Sequence, residues 1–200
     1  MKHKKDYKEK TLEYYNQNNK VFIDGTLNVD FSETQDKFLS FLKPGDKILD
    51  FGCGSGRDTK YFLEKGFEVT AIDGSEKMCE FASQFTGINI TQLDFLDFYE
   101  KERYNGIWAC SSILHLNSKE LLRVLKNISA ALKPDGIFYT SFKYGTFEGE
   151  RNRRFFNDMT QTKFSKSLKK IRFLEVLENW VTEDVRTGHK NEKWFNVICK

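Results

Sequence analysis

Two hundred residues, 39% hydrophobic and 30% charged, suffice for one packed domain and fall short of two full-sized ones. No apolar run approaches the roughly 18 residues of a membrane span. Met1-Lys2-His3-Lys4-Lys5-Asp6-Tyr7 has no apolar stretch behind its basic residues, which reads against a signal peptide. The net charge is only +3 but unevenly spread: residues 48 to 100 lean acidic, whereas Lys143, Arg151, Arg153, Arg154, Lys163, Lys166, Lys169, Lys170 and Arg172 crowd a basic stretch. That stretch is either a solvated face or a lip that attracts an anionic substrate or RNA. Nineteen Phe fit a core built on Phe rather than an aromatic binding stripe. Cys53, Cys79, Cys110 and Cys199 have neither zinc nor secreted-disulfide spacing, so a reducing cytoplasm is the expected location.

In chain order, residues 7 to 23 read as an aromatic-rich helix, and residues 32 to 42 as a second with Ser32 at its N-cap. Pro44-Gly45 then forces a turn. Residues 1–45 are thus expected to form an N-terminal helical lid and 46–200 the core of a single domain. Ile48-Leu49-Asp50-Phe51 is a short apolar strand, followed by a helix from about Arg57 to Lys65 that Gly66 closes. Strands are expected at 67–72, 88–93, 106–113 and 137–142. Between them, Ser75 caps one helix and Asn117 opens another carrying Leu121, Leu125, Ile128 and Leu132. A last helix at 160–170 precedes strands at 174–181 and 194–199, joined by Thr187-Gly188-His189-Lys190. Strands alternating with helices imply a mostly parallel sheet covered on both faces. The short final loop makes the last strand antiparallel. Ligands of such open sheets bind beyond the carboxyl ends of the strands.

Gly52-Cys53-Gly54-Ser55-Gly56 follows the first strand and opens a helix, where glycines let backbone N–H groups approach a ligand. The dinucleotide fingerprint requires glycine at relative position six, and here that position is Arg57. No Gly-Lys-Ser/Thr follows either, so a Walker A loop is excluded. Asp50, just before the loop, would repel a pyrophosphate but can accept from an ammonium such as that of S-adenosylmethionine. Asp73 ends the second strand, where a carboxylate can take both ribose hydroxyls. Asp94, with Phe95 and Leu96, ends the third, placed to meet an adenine amino group.

Residues 49–56 resemble the first motif of the class I S-adenosylmethionine-dependent methyltransferases, and Ala71-Ile72-Asp73-Gly74-Ser75 is similar to their second. Leu132-Lys133-Pro134-Asp135-Gly136 looks like their turn before the fifth strand, with Asp135 where Gly is commoner. The likeness covers roughly residues 40 to 142. Gly56-Arg57-Asp58 and Asp73-Gly74-Ser75 look most like small-molecule and tellurite-resistance-type enzymes. The resemblance implies a three-layer α/β sandwich of Rossmann-like methyltransferase type. Its seven-stranded, mostly parallel sheet would have order 3-2-1-4-5-7-6 with the last strand antiparallel. It implies S-adenosylmethionine as cofactor, held by Tyr15, Asp50, Gly52, Cys53, Gly54, Gly56, Arg57, Asp58, Asp73, Gly74, Ser75, Met78, Asp94, Phe95, Leu96, Cys110 and Ser111.

Methyl transfer from a sulfonium needs alignment and water exclusion more than a dedicated base. His115 could deprotonate an acceptor, or could simply pack on the cofactor or cap a helix. Tyr14, Lys143, Tyr144, Arg151 and Arg154 could bind an anionic acceptor, or Glu148 and Glu150 could pair with these cations to order a loop. Tyr14, Tyr15 and Phe22 would form a lid or pack on the sheet. No Asn/Asp-Pro-Pro-Tyr, Pro-Cys nucleophile or His/Asp metal cluster is present. The first expectation is a methyltransferase acting on a small-molecule acceptor, without metal. A second is a tRNA wobble-uridine-type methyltransferase, because Arg151-Asn152-Arg153-Arg154-Phe155-Phe156 resembles a segment of wobble-uridine carboxymethyl enzymes. A third is a non-catalytic, cofactor-binding regulatory subunit.

Overall fold

The computed structural model describes residues 6–171, 174–186, 188–189 and 191–200. Within them the chain runs α1 (Tyr7–Gln17), α2 (Asn19–Thr26), α3 (Ser32–Leu39), β1 (Lys47–Phe51), α4 (Arg57–Glu64), β2 (Glu68–Asp73), α5 (Glu76–Thr86), β3 (Ile90–Gln92) and β4 (Tyr104–Ala109). A single 3-10 turn, Ile113–His115, leads into α6 (Ser118–Ala131) and β5 (Leu132–Lys143). Then come β6 (Glu148–Arg151), β7 (Arg154–Asn157), α7 (Gln161–Leu168), β8 (Val176–Glu183) and β9 (Lys193–Cys199). Arg172, Thr187, Lys190 and the basic residues of the first five positions, which entered the sequence expectations, lie outside the described residues.

Seven strands form one sheet in the order β3-β2-β1-β4-β5-β9-β8, parallel except for β9, which runs antiparallel to both β5 and β8. The expected order 3-2-1-4-5-7-6 is therefore corrected in its labels. Two strands that hydrophobic periodicity did not reveal, β6 and β7, pair with each other as a separate hairpin. Arg151 faces Arg154 across its turn, and Asn152 and Arg153 both have left-handed φ, 51° and 63°. Such primed turns match the twist of the strands they join. The expected fourth strand to residue 113 ends instead at Ala109, because Ser111 takes φ +53° and the chain turns into the 3-10 segment. The expected helix 7–23 breaks at Asn18 into α1 and α2, and the last strand pair begins and ends within two residues of expectation at 183, 193 and 199.

Alternation along the strands divides the core in two. Leu49, Phe51, Ile107, Phe138 and Val197 face one side, against Leu121, Leu125 and Ile128 of α6. Ile48, Trp108, Tyr139 and Ile198 face the other, against Phe38 of α3 and Phe62 of α4. Helices thus cover both faces, and the glycine loop leaves β1 where the strand order reverses between β1 and β4, the position such sheets use for ligands. Among the described residues no helix is long and apolar enough to cross a membrane.

Candidate active site

Backbone bonds to the neighbouring strand shape the glycine loop before any side chain contributes. The N–H groups of Gly52 and Cys53 both donate to the Ile72 carbonyl, at 2.9 and 3.0 Å. Gly52 has φ +88°, and a Cβ there would stand 2.3 Å from Ser112 Cβ, so only glycine fits both conditions. Asp73, closing β2, ties loop to strand: Oδ2 accepts from Gly54 N–H at 2.9 Å and Oδ1 from Ser75 N–H at 2.8 Å. Each oxygen keeps further acceptor capacity, and the side chain lines a cleft of about 660 Å³. Burial raises its pKa, opposed by the backbone N–H groups.

Met78, Asp94 and Phe95 wall this end of the cleft together with Gly52, Cys53, Gly54 and Gly74. Phe95 packs on Phe51 with centroids 4.6 Å apart, and Asp94 Oδ1 accepts from Leu96 N–H at 2.8 Å. Arg57 and Asp58 line the cleft as a pair, with Nε and Nη2 donating at 2.7 and 3.1 Å. Asp58 is further held by Gln35 and by Trp108 Nε1, both at 2.8 Å. Burial works against the Arg57 charge, but Asp58 outweighs it and holds the pKa above the usual range. A guanidinium has five N–H donors, so most of Arg57's remain for a ligand. Cys110 and Ser111 line the floor; burial pushes the Cys110 thiol up to about 12, and Ser111 N–H donates to Ser141 Oγ at 2.9 Å.

Five expected site residues do not line the cleft. Asp50 faces the other side of β1 beneath α4, where it accepts from Thr59 Oγ1 at 2.6 Å, and burial beside Asp58 raises its pKa to about 8. It supports the loop from below rather than meeting a ligand's ammonium directly. Gly56 is covered by Ala82 and Thr86, and Leu96 packs on the core. The Ser75 hydroxyl caps α5 through Met78 N–H and donates to Asn16 Oδ1 at 2.7 Å. Tyr14 stands behind Arg154, whose guanidinium carbon lies 4.4 Å from its ring centroid.

The opposite end of the cleft is assembled from distant segments. His115 Nδ1 lies 2.6 Å from the Phe155 carbonyl, which can only accept, so Nδ1 carries the proton. Nε2 is then an acceptor, and the Tyr15 hydroxyl donates to it at 2.8 Å. Burial drives the His115 pKa down to about 4, against the bond to Phe155, and raises that of Tyr15. His115 is therefore neutral near pH 7, and its lone pair is already occupied. Arg151 donates to both oxygens of Asp158, at 2.9 and 2.5 Å, and Lys143 pairs with Glu192. Burial lowers Lys143 to about 8. Tyr144 sits at the rim, 49% exposed. The alternative pairing of Glu148 and Glu150 with these cations does not form: Glu148 accepts from Ser118 and meets Lys163 at 3.8 Å, and Glu150 pairs with Lys10.

Sequence reasoning did not single out Asp158, Asp184, Arg186 or Trp194, all of which line the cleft. Asp184 accepts from Arg186 at 2.9 and 2.6 Å and from Trp194 Nε1 at 3.0 Å, which holds its pKa down at about 2 despite burial. The one local signal for any of them was Asn152 before Arg153, a turn that would have revealed the hairpin and with it Asp158. Asp184, His189 and Glu192 bring their ligand-type atoms within 4.8 Å of one another, a grouping the sequence did not suggest. Arg186 and Lys143 already engage the two carboxylates, so the trio is charge-balanced without an ion.

Strand reversal, glycine loop and strand-end carboxylates together define a Rossmann-like fold of the methyltransferase type. Residues 48–136 match the family described as "Methyltransferase domain". The putative methyltransferase YqeM of Bacillus subtilis is 37% identical over 109 residues, 48% of this chain and 44% of that protein. The chain thus spans less than half the length of that relative. Among solved structures, the 1,6-didemethyltoxoflavin-N1-methyltransferase of Burkholderia thailandensis superposes with TM-score 0.76 at 21% identity, covering 94% of this chain and 84% of that one. The magnesium protoporphyrin IX methyltransferase of Synechocystis gives 0.72 at 18% identity, with 99% of each chain covered. At these identities the structural likeness is one of fold. The matched segment contains the glycine loop, Asp73 and Asp94.

Proposed function

We propose that the chain is an S-adenosylmethionine-dependent methyltransferase acting on a small-molecule acceptor. The observation that carries this reading is one continuous cleft with the glycine loop and Asp73 at one end and the Tyr15–His115 pair at the other. Its volume of about 660 Å³ is that of a ligand pocket.

The residues present fit the donor. Asp73 has acceptor capacity left for two ribose hydroxyls, Met78 and Phe95 offer an apolar slot for a base with Asp94 at its edge, and Arg57 has spare N–H groups for the amino-acid carboxylate. Bound there, the cofactor supplies a sulfonium methyl group, and its transfer leaves a neutral thioether. The chain's own contribution is alignment and exclusion of water. His115, with a pKa near 4 and Nε2 already accepting, holds Tyr15 in place rather than drawing a proton from the acceptor. An acceptor that is nucleophilic without a base suits this site. The likeness of Gly56-Arg57-Asp58 to small-molecule and tellurite-resistance-type enzymes makes chalcogen oxyanions worth including in any acceptor panel.

The tRNA reading rested on residues 151–156. They form a hairpin whose Arg151 and Arg154 turn into the cleft while Arg153 donates to Gln17, so they do not spread a basic face for a phosphate backbone. Calorimetry with S-adenosylhomocysteine should give one-to-one binding. A labelled methyl-transfer screen over metabolites, chalcogen oxyanions and total tRNA should then incorporate label into a small molecule. Absence of binding removes the donor assignment, and label confined to tRNA removes the acceptor class.

A further inference from the structure

Resting on the methyltransferase reading of the cleft, we propose that the acceptor carries a single carboxylate and that Arg154 binds it. Four arginines line the cleft. Arg57, Arg151 and Arg186 each hold an internal carboxylate, from Asp58, Asp158 and Asp184. Arg154 has no carboxylate partner among the described residues. Its Nε is shut off from solvent and meets no hydrogen-bond acceptor. Its Nη1 makes one long bond, 3.4 Å, to the Tyr15 oxygen.

Aromatic rings cover this guanidinium, with its carbon over Tyr14 at 4.4 Å, Phe156 at 5.1 Å and Tyr15 at 5.7 Å. Rings take the faces of the plane and leave its edges for acceptors lying in that plane. Arg154 lines the cleft, and an edge of a guanidinium matches the two oxygens of a carboxylate. Desolvating a donor without a partner is costly, and folded proteins rarely leave one so. An oxyanion held at the cleft-facing N–H groups would offset that cost by pairing the charge of the group as a whole.

Charge balance selects the class of anion. Lys143, Arg151 and Arg186 are each matched by an acid, leaving the positive charge of Arg154 as the uncompensated guanidinium of the cleft. A carboxylate monoanion cancels that one charge, whereas a phosphate dianion would exceed it. Tyr15 cannot supply the charge, because burial raises its pKa and its proton is directed at His115. In this arrangement His115 is a positioning residue: it fixes the Tyr15 oxygen as an acceptor for Arg154.

The test uses the full chain saturated with S-adenosylhomocysteine and three probes of one shape: benzoate, benzamide and phenyl phosphate. Benzoate should shift the ¹⁵N–¹H resonance of Arg154 Nε saturably, and benzamide should not. Arg154→Gln should weaken benzoate binding about tenfold or more, the effect of losing one charge-assisted pair. The idea is overturned if benzoate does not shift that resonance, if phenyl phosphate binds more tightly than benzoate, or if Arg154→Gln binds benzoate as well as the parent. The resonance is read on the unaltered chain, so it decides even where the variant misfolds. Benzoate binding without S-adenosylhomocysteine binding would sink the donor reading and leave Arg154 assigned; the reverse result would do the opposite.

Discussion

At the end of the cleft proposed for the donor, Asp73 is bonded to Gly54 and Ser75, and Asp94 to Leu96, so each carboxylate is fixed by backbone that leaves or faces its own strand. At the acceptor end, Tyr15 and His115 lie 100 positions apart, and Arg154 reaches Tyr15 across 139. One end is set by strand geometry and forms wherever the sheet forms. The other depends on helix α1, the hairpin β6–β7 and the turn at His115 meeting one another. Substitutions at the donor end should therefore change cofactor affinity, and those at the acceptor end should change acceptor affinity and stability while leaving the cofactor site intact.

The largest expected break in this contrast is Asp73→Ala. It removes two charge-assisted backbone bonds, each worth about 1.5–3 kcal/mol, along with the proposed ribose acceptor. S-adenosylhomocysteine affinity should fall about a hundredfold or more by calorimetry. An unchanged affinity would remove the assignment of this end to the donor.

Next in size is an opposite pH response at the two ends. His115 has a folded pKa of about 4 against 6.5 for a free imidazole. The unfolded chain therefore binds the extra proton between those values, and its contribution to stability is full above pH 6.5 and lost as pH falls toward 4. Asp50 has a folded pKa of about 8 against 3.8. There the folded chain binds the extra proton, and the contribution present at low pH is lost as pH rises toward 8. In urea titrations, His115→Gln should lose the rising limb below pH 6.5, and Asp50→Asn should lose the falling limb above pH 4. Parallel profiles for both variants would show that the two ends are not electrostatically distinct.

The smallest effect is expected for Lys10→Ala, which breaks a partly exposed ion pair between α1 and the hairpin. Such pairs contribute about 0–1 kcal/mol. Stability should drop within that range in the same urea titration, with S-adenosylhomocysteine affinity unaltered. A matching loss of cofactor affinity would mean that α1 belongs energetically to the donor end.

The contrast also explains what was legible in the sequence. Gly52, Gly54, Asp73 and Asp94 could be placed at the cleft because that end repeats one rule, a residue at the carboxyl end of a parallel strand. Asp50 obeys the same spacing but falls on the alternate face of β1, beneath α4. Residue spacing shows that a carboxylate is near the loop, not which side of the strand it takes. The pairs Arg186–Asp184, Arg151–Asp158 and Tyr15–His115 had no such rule behind them. The hairpin was missed because its strands are four residues each, with one turned toward the cleft, too short for alternation to register.

One face of α1 meets the hairpin once per turn. Tyr7 stacks on Phe155 at 4.4 Å, Lys10 pairs with Glu150, Thr11 accepts from Phe155 N–H at 3.1 Å, and Tyr15 and Gln17 meet Arg154 and Arg153. Two segments from opposite halves of the chain are thus fastened more to each other than to the sheet beneath. A change in one therefore needs a matching change in the other, because Thr11 and Phe155, like Lys10 and Glu150, are halves of single contacts.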